Sequence, residues 1–361
     1  MLKSKVGYSI NPDAFMSGLE SAKESTKDFN NVKLNLLYTS VNYDVKKVVK
    51  GVQSANNAPI IGCTSSGGII VPDGYVTSDE GYSGVMTFND TNMVVGVACH
   101  ESGKDARAIG RKVAIEAVSN AKTTRAPAYF YMVASPKEEE EYLMGIQDVI
   151  GEIPMFGGSA SDNNFAGEWK VFCENEVVED GCAIALFYTT KEIKNVLTSS
   201  YQETEHIGII TSIDDNRRIM EIDNTPALNK YAEWTGFNAE ELMAQNIMTA
   251  SAPMPIGTST LHGETVLVRH PKIGNTDYSL TVGANMAEKT AILLMQTDED
   301  GLIGGAVENI RELKTSDFGF EFDVVYSNPP YMKNDSGIDS FVKKYATSIL
   351  STLSIVIPIS F

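Results

Sequence analysis

Two short stretches of this 361-residue chain place glycines, small hydroxyls and a thiol where a small polar molecule is readily gripped. They are Gly62, Cys63, Thr64 and Ser65, and Gly157, Gly158, Ser159 and Asp162. Each offers backbone N–H groups that no bulky side chain blocks, which suits a carboxylate, a phosphate or a polar metabolite. Arg269, between Val268 and His270, is a further candidate as an anion clamp. The same residues offer a covalent alternative, an enzyme with Cys63 or Ser159 as nucleophile. Gly157 to Ser161 departs from the nucleophile-elbow pattern only at its last position, whereas Gly62 to Ser66 departs at two. No histidine is assignable as a base for Cys63, so binding without covalent chemistry is the expectation. There is no phosphate-binding Walker loop and no dinucleotide fingerprint. His100, His206, His262 and His270 are too dispersed in sequence for a structural zinc site. No cofactor is therefore expected, although haem, which needs one proximal histidine, stays open.

Composition narrows the partners. With 29 Lys plus Arg against 47 Asp plus Glu, the formal charge is −18. Such a chain repels phosphate backbones and anionic lipid surfaces, so neither nucleic acid nor a membrane is expected as a partner. Hydrophobic residues at 43% and charged residues at 21% match a compact globular protein. Cys63, Cys99, Cys173 and Cys182 form no Cys-x-x-Cys pair and fit free thiols in a reducing compartment. The N-terminus lacks the apolar run of a signal peptide, and a cytoplasmic location follows as an expectation. Tyr345 to Phe361 carries no charge, but its serines, threonines and Pro358 favour a buried helix and a strand over a membrane anchor.

The candidate residues need elements to hold them. Lys33 to Ser40 reads as a buried strand, Asp44 to Ala55 as a helix, and Pro59 to Gly62 as a second strand opening into the first small-residue loop. Ala128 to Ala134, Glu138 to Ile150 and Pro154 to Phe156 repeat that order before the second loop, Gly157 to Asp162. PIIGCTSS from Pro59 and PMFGGSAS from Pro154 align without a gap, which suggests an internal duplication. The fold class expected is α/β, with α+β as its variant: two related units with mixed sheets flanked by helices. The seam falls at Lys191 to Ile209, dividing residues 1–200 from 201–361, with a helix-compatible stretch over Tyr201 to His206. Beyond it a helix starts at Pro226, and Thr265 to Arg269 is a strand.

PIIGCTSSGG, FGGSASDN, MEIDNTPALNKY and ETVLVRHP with GANMAEKT together resemble the FIST sensory domains, an N-terminal and a C-terminal unit of bacterial signal-transduction proteins. The resemblance runs from about Lys33 to the end. It implies a cytoplasmic sensor of amino acids or similar metabolites, with haem-based nitric oxide sensing in some members. It also implies a separate signalling partner, such as a histidine kinase, a cyclic-di-nucleotide enzyme or a chemoreceptor. Asn224 stands where the family usually has glycine, a mild change because asparagine tolerates the left-handed backbone region. The family normally ends with a third strand and a Gly-Glu turn. This sequence reads Pro358-Ile-Ser-Phe361 there, so a third loop is expected to be missing or shortened.

Overall fold

A computed structural model describes residues 2–164, 166–191, 199–244, 247–259, 266–298, 300–301, 304–305 and 357–358. Its chain divides into two units, residues 1–195 with 310–361 and residues 196–309. Both are mixtures of helices and sheets, as the sequence led us to expect.

The duplication is far more extensive than the two short stretches suggest. One copy runs through β1 (Lys3–Ser9), α1 (Ala14–Thr26), β2 (Val32–Ser40), α2 (Val45–Ala55) and β3 (Ile60–Ser65), then β4 (Ile69–Val71), β5 (Gly74–Val76) and β6 (Ser83–Asn89). The other runs through β7 (Val94–Glu101), α3 (Ala106–Ala121), β8 (Tyr129–Ala134), α4 (Glu139–Ile150) and β9 (Met155–Ser159), then β10 (Val171–Cys173), β11 (Glu176–Val178) and β12 (Gly181–Tyr188). The strand orders β1-β6-β2-β3 and β7-β12-β8-β9 are the same, and in each only the final pair is parallel. Register carries over as well: Gly62 lies opposite Leu37 and Thr64 opposite Thr39, just as Gly157 lies opposite Met132 and Ser159 opposite Ala134. The two prolines that open the sequence match play one part too, their carbonyls accepting the N–H groups of Asn35 and Phe130.

The sheets pack face to face. Leu36, Tyr38, Cys63 and Phe88 of the first meet Cys99, Tyr131, Val133 and Phe187 of the second in one core, where the Tyr38 and Tyr131 hydroxyls meet at 2.5 Å. The helices cover the outer faces: Val48, Val49 and Val52 of α2 pack on Leu37 and Ile60, and Val113 and Ala117 of α3 on Phe130 and Ile184. With both faces covered, β12 reads as an unbroken apolar run, GCAIALFY, in which every residue is buried. The outer helices pack through reciprocal glycines. Gly18 and Gly51 abut the Val48 and Phe15 carbonyls between α1 and α2, and Gly110 and Gly145 abut those of Tyr142 and Arg107 between α3 and α4.

Two expectations need correcting. Strands β3 and β9 do not stop at Gly62 and Phe156 but continue to Ser65 and Ser159, so most of the expected loop residues are strand. β3 is buried throughout between two neighbouring strands, and β9 is held by its parallel ladder to β8; burial in the one and pairing in the other override turn preference. Tyr201 to His206 is not helical either. Its residues from Gln202 belong to β13 (Gln202–Asp215), which pairs with β20 below, and pairing with a neighbouring strand outweighs local propensity there.

The second unit continues through β14 (Arg218–Ile222), β15 (Thr225–Pro226), α5 (Ala227–Thr235), α6 (Ala239–Ala244), α7 (Ile247–Ser251), β16 (Ile256–Ser259), β17 (Val266–Arg269), β18 (Pro271–Gly274), β19 (Leu280–Val282) and β20 (Ala291–Gln296). Its sheet, ordered β17-β16-β20-β13-β14-β19-β18, is antiparallel, and Leu228, Tyr231 and Trp234 of α5 pack with Ile210, Ile222 and Ile292. Asp223 and Asn224 turn the chain at φ 51° and 60°, the left-handed region that asparagine tolerates, and α5 follows Pro226 as expected. Ile357 and Pro358 form a short strand, β21 (Ile357–Pro358), beside β4. The sequence also predicts a helix over Ile338 to Leu350 and a strand over Phe322 to Ser327, and both lie outside the described residues. A helix predicted from the sequence over Leu302 to Leu313 lies almost wholly outside them as well. Among the described residues no helix is long and apolar enough to cross a membrane.

Candidate functional site

The ends of β3 and β9 come together. Ser161 N–H donates to the Thr64 carbonyl at 3.1 Å, the Thr64 hydroxyl donates to the Ser161 carbonyl at 2.8 Å, and Gly67 N–H donates to Asn163 Oδ1 at 3.1 Å. The polar side chains in this junction largely hold one another. Thr64 Oγ1 also accepts Lys170 N–H at 2.9 Å, and the Ser65 hydroxyl donates to the Gly68 carbonyl at 2.8 Å. Asp162, 1% exposed, accepts N–H bonds from Asn164 at 3.3 Å and Glu168 at 2.7 Å. It is the organiser of its own turn. Asp162→Ala should therefore lower stability by about 2–3 kcal/mol, the worth of two backbone bonds to a buried carboxylate, read as a lower denaturation midpoint.

The remaining candidates divide. Gly62 and Gly157 sit where any Cβ would run into the Leu37 and Met132 carbonyls, so both are required by packing. Cys63 is 1% exposed within the sandwich core, and burial pushes its thiol up to about 12, the opposite of an activated nucleophile. Gly158 lies beside them on β9, half-buried. The Ser159 hydroxyl donates to Glu139 Oε1 at 2.7 Å, a carboxylate at the start of α4 rather than a histidine. Arg269 belongs to the second unit, on β17 opposite Ile256, and is not part of this junction.

A site that the sequence did not single out lies next to the junction. A cleft of ≈ 390 Å³ opens at the carboxyl end of β2 and the first turn of α2. Ligands in open α/β sheets favour this position. Val41, Val45 and Val177 supply apolar walls, and Asp44, Lys46, Glu168 and Lys170 supply two charges of each sign. Asp44 ends the first wall by capping α2, its carboxylate accepting Lys47 N–H. Lys170 is placed by the bonds of its backbone to Thr64, and its ammonium reaches the Glu168 carbonyl at 3.0 Å. β3 lies between the strands that carry these walls, and just beyond its end the Ser66 hydroxyl is fully buried without a hydrogen-bond partner. Three separate segments build the cleft, which is why no motif announces it. The one local signal is Asp44 ahead of the helical valine spacing.

No described histidine lines this cleft. His100 is held by Glu116 at 2.6 Å, and His206 stacks on the Trp234 ring at 6.3 Å. His270 lies against Tyr201, and burial, with Lys272 adding to it, lowers its pKa to about 4. His262 lies outside the described residues. No group of three metal-ligating side chains occurs among the described residues.

A model of the FIST N domain matches residues 33–225, more than half of the chain. The chain belongs to the FIST family. FIST domains are sensor domains of signal transduction. The FIST match takes in β2 to β14 and ends at Thr225, just before α5; the C-terminal FIST unit expected beyond it is not shown. An uncharacterized protein of Methanocaldococcus jannaschii is 21% identical over 339 residues. That is 87% of this chain and 63% of the relative, so the chain spans less than two thirds of that protein. Two structures of cyanuric acid hydrolase are also similar at a low level. The one from A. caulinodans shares 13% identity over 52% of this chain and 67% of its own, with a TM-score of 0.26. The other, described as an innovation by structural concatenation, shares 10% over 82% and 100%, with a TM-score of 0.30. Scores this low transfer neither fold nor activity.

Proposed function

We propose that this FIST protein is a cytoplasmic sensor that binds an amino acid or a similar small metabolite and signals to a separate protein, of the histidine kinase, cyclic-di-nucleotide enzyme or chemoreceptor kind. One observation carries the reading. The cleft at the first turn of α2 pairs two ammonium groups with two carboxylates against valine walls, the complement of a zwitterion with an apolar side chain. Gly158 and Ser159 belong to the end of β9 and are not among the residues lining this cleft, and Arg269 is a candidate only for a site of the second unit. The response follows from the ligand preferring one conformer, and its size is bounded by that difference in affinity.

Titration calorimetry of the purified protein with a panel of amino acids and small carboxylates tests this. At least one zwitterion should bind saturably. Lys46→Ala and Lys170→Ala should each weaken it by roughly 10- to 100-fold, the loss of one charge-assisted contact. Binding that is indifferent to both lysines places the ligand elsewhere.

A further inference from the structure

The β10–β11 hairpin belongs to the second repeat by sequence, yet it adds to the sheet of the first. Val171, Phe172 and Cys173 pair with Cys63, Gly62 and Ile61 of β3. Its inner face packs on β7 of the second sheet, so this short hairpin touches both sheets at once. Two cysteines meet at that contact. Cys99 of β7 and Cys173 of β10 are hydrogen-bonded through their thiols, and both are buried in the sandwich core. Glu176 of β11 stands directly opposite Cys173 in the hairpin, which puts the two side chains on one face, and its Oε2 accepts the Cys99 thiol at 3.7 Å. Glu176 is exposed, so the Cys99 sulfur lies one side chain away from solvent.

The other two cysteines do not share this contact. Cys182 packs on the helix-covered side of β12 with Val113 and Phe130, whereas its neighbour Ala183, opposite Cys99, faces the sandwich. Cys63 is opposite Val171 and only diagonal to Cys173, about 7–8 Å away and beyond the span of a disulfide. The pair is also protected. The hydrogen bond with Cys99, burial and the nearby carboxylates, Glu176 among them, push the Cys173 thiol well above its ordinary value.

We propose that Cys99 and Cys173 are an oxidisable dithiol, guarded by Glu176, which a peroxide converts to a disulfide joining the hairpin to β7. When Glu176 swings aside, the Cys99 sulfur attacks one peroxide oxygen and the O–O bond breaks. Cys99 becomes a sulfenic acid, and the other oxygen leaves as water with the thiol proton. The Cys173 sulfur then attacks the Cys99 sulfur, its proton departs with the hydroxyl as a second water, and the S–S bond forms. Two thiols lose two electrons, and one peroxide becomes two waters. A thiol reductant reverses the change, as suits a reducing compartment. The inference goes beyond the ligand reading and does not depend on it, although Lys170, just before β10, and Val177 of β11 line the cleft. A hairpin tied to β7 holds that wall in place.

The test treats the full, folded chain with hydrogen peroxide and reads intact mass and peptide maps. The protein should lose the mass of two hydrogen atoms and yield a linked Cys99–Cys173 peptide, and dithiothreitol should undo both. Mapping the wild type names the bonded pair without any variant, so the result stands even where a cysteine variant fails to fold. Cys99→Ser and Cys173→Ser should each abolish the linked species, and Cys182→Ala should leave it. Glu176→Ala should speed the linkage by roughly tenfold, because it uncovers Cys99 and removes a charge that opposes the Cys173 thiolate. Amide exchange over residues 171–178 should slow in the oxidised form. Linkage through Cys63 or Cys182, or gain of oxygen with no linked peptide, overturns the proposal. So does a Glu176→Ala protein that is oxidised no faster than the wild type.

Discussion

Gly62→Ala and Gly157→Ala should each destabilise the first unit by about 3–5 kcal/mol, enough to leave much of the protein unfolded or insoluble. A Cβ at either position would overlap the carbonyl oxygen of the neighbouring parallel strand, at Leu37 and Met132 respectively. Neither carbonyl is free to retreat, because β2 and β8 are each paired on both edges and covered on both faces. At Gly157 the backbone φ of +151° adds strain for any side chain. Gly151→Ala is the internal control, since that residue has positive φ but open space around it and should cost only about 1 kcal/mol. Equilibrium denaturation of the three variants decides the matter. Equal losses at 151 and 157 would mean that conformation and not strand approach sets the cost.

Acidification should weaken the second unit through His270. Burial, aided by Lys272, holds its imidazole neutral in the folded protein down to about pH 4, whereas the unfolded chain takes up that proton near the ordinary value of 6.5. Between those limits the unfolded state binds more protons, so stability is complete above pH 6.5 and is lost as pH falls towards 4. The loss is on the order of 2–3 kcal/mol for a group buried to this degree. His270→Gln should flatten that part of the stability profile, whatever it does to the plateau. A profile unchanged by the substitution would assign the acid transition to other groups.

Much of this protein was legible in its residues. The valine spacing after Asp44 fixes α2, and the matched prolines and glycines at 59–62 and 154–157 betray a duplication. These signals are local or come from direct comparison of two stretches. The extent of the repeat was hidden because α1 and α3, or β1 and β7, share a place in the fold but little sequence, and what they share is buried volume and close helix approach. The small residues of β3 and β9 misled for a related reason. Gly, Ser and Thr prefer turns in isolation, and burial in β3 and the ladder to β8 in β9 make them strand.

The candidate site shows the same division. That Gly62 to Ser65 and Gly157 to Asp162 are matched stretches is readable in the sequence; that their ends meet is seen only in the fold. Whether each side chain grips a ligand or its neighbour depends on hydrogen bonds across distant segments: Thr64 to Ser161, Asp162 to Glu168, Ser159 to Glu139. The cleft itself belongs wholly to the tertiary structure. Its walls come from a helix start, a strand end and a hairpin of the other repeat, and no linear pattern records that residues as far apart as Lys46 and Lys170 share one space. Sequence determines which faces must be buried; the three-dimensional packing of those faces decides which polar groups remain for a ligand.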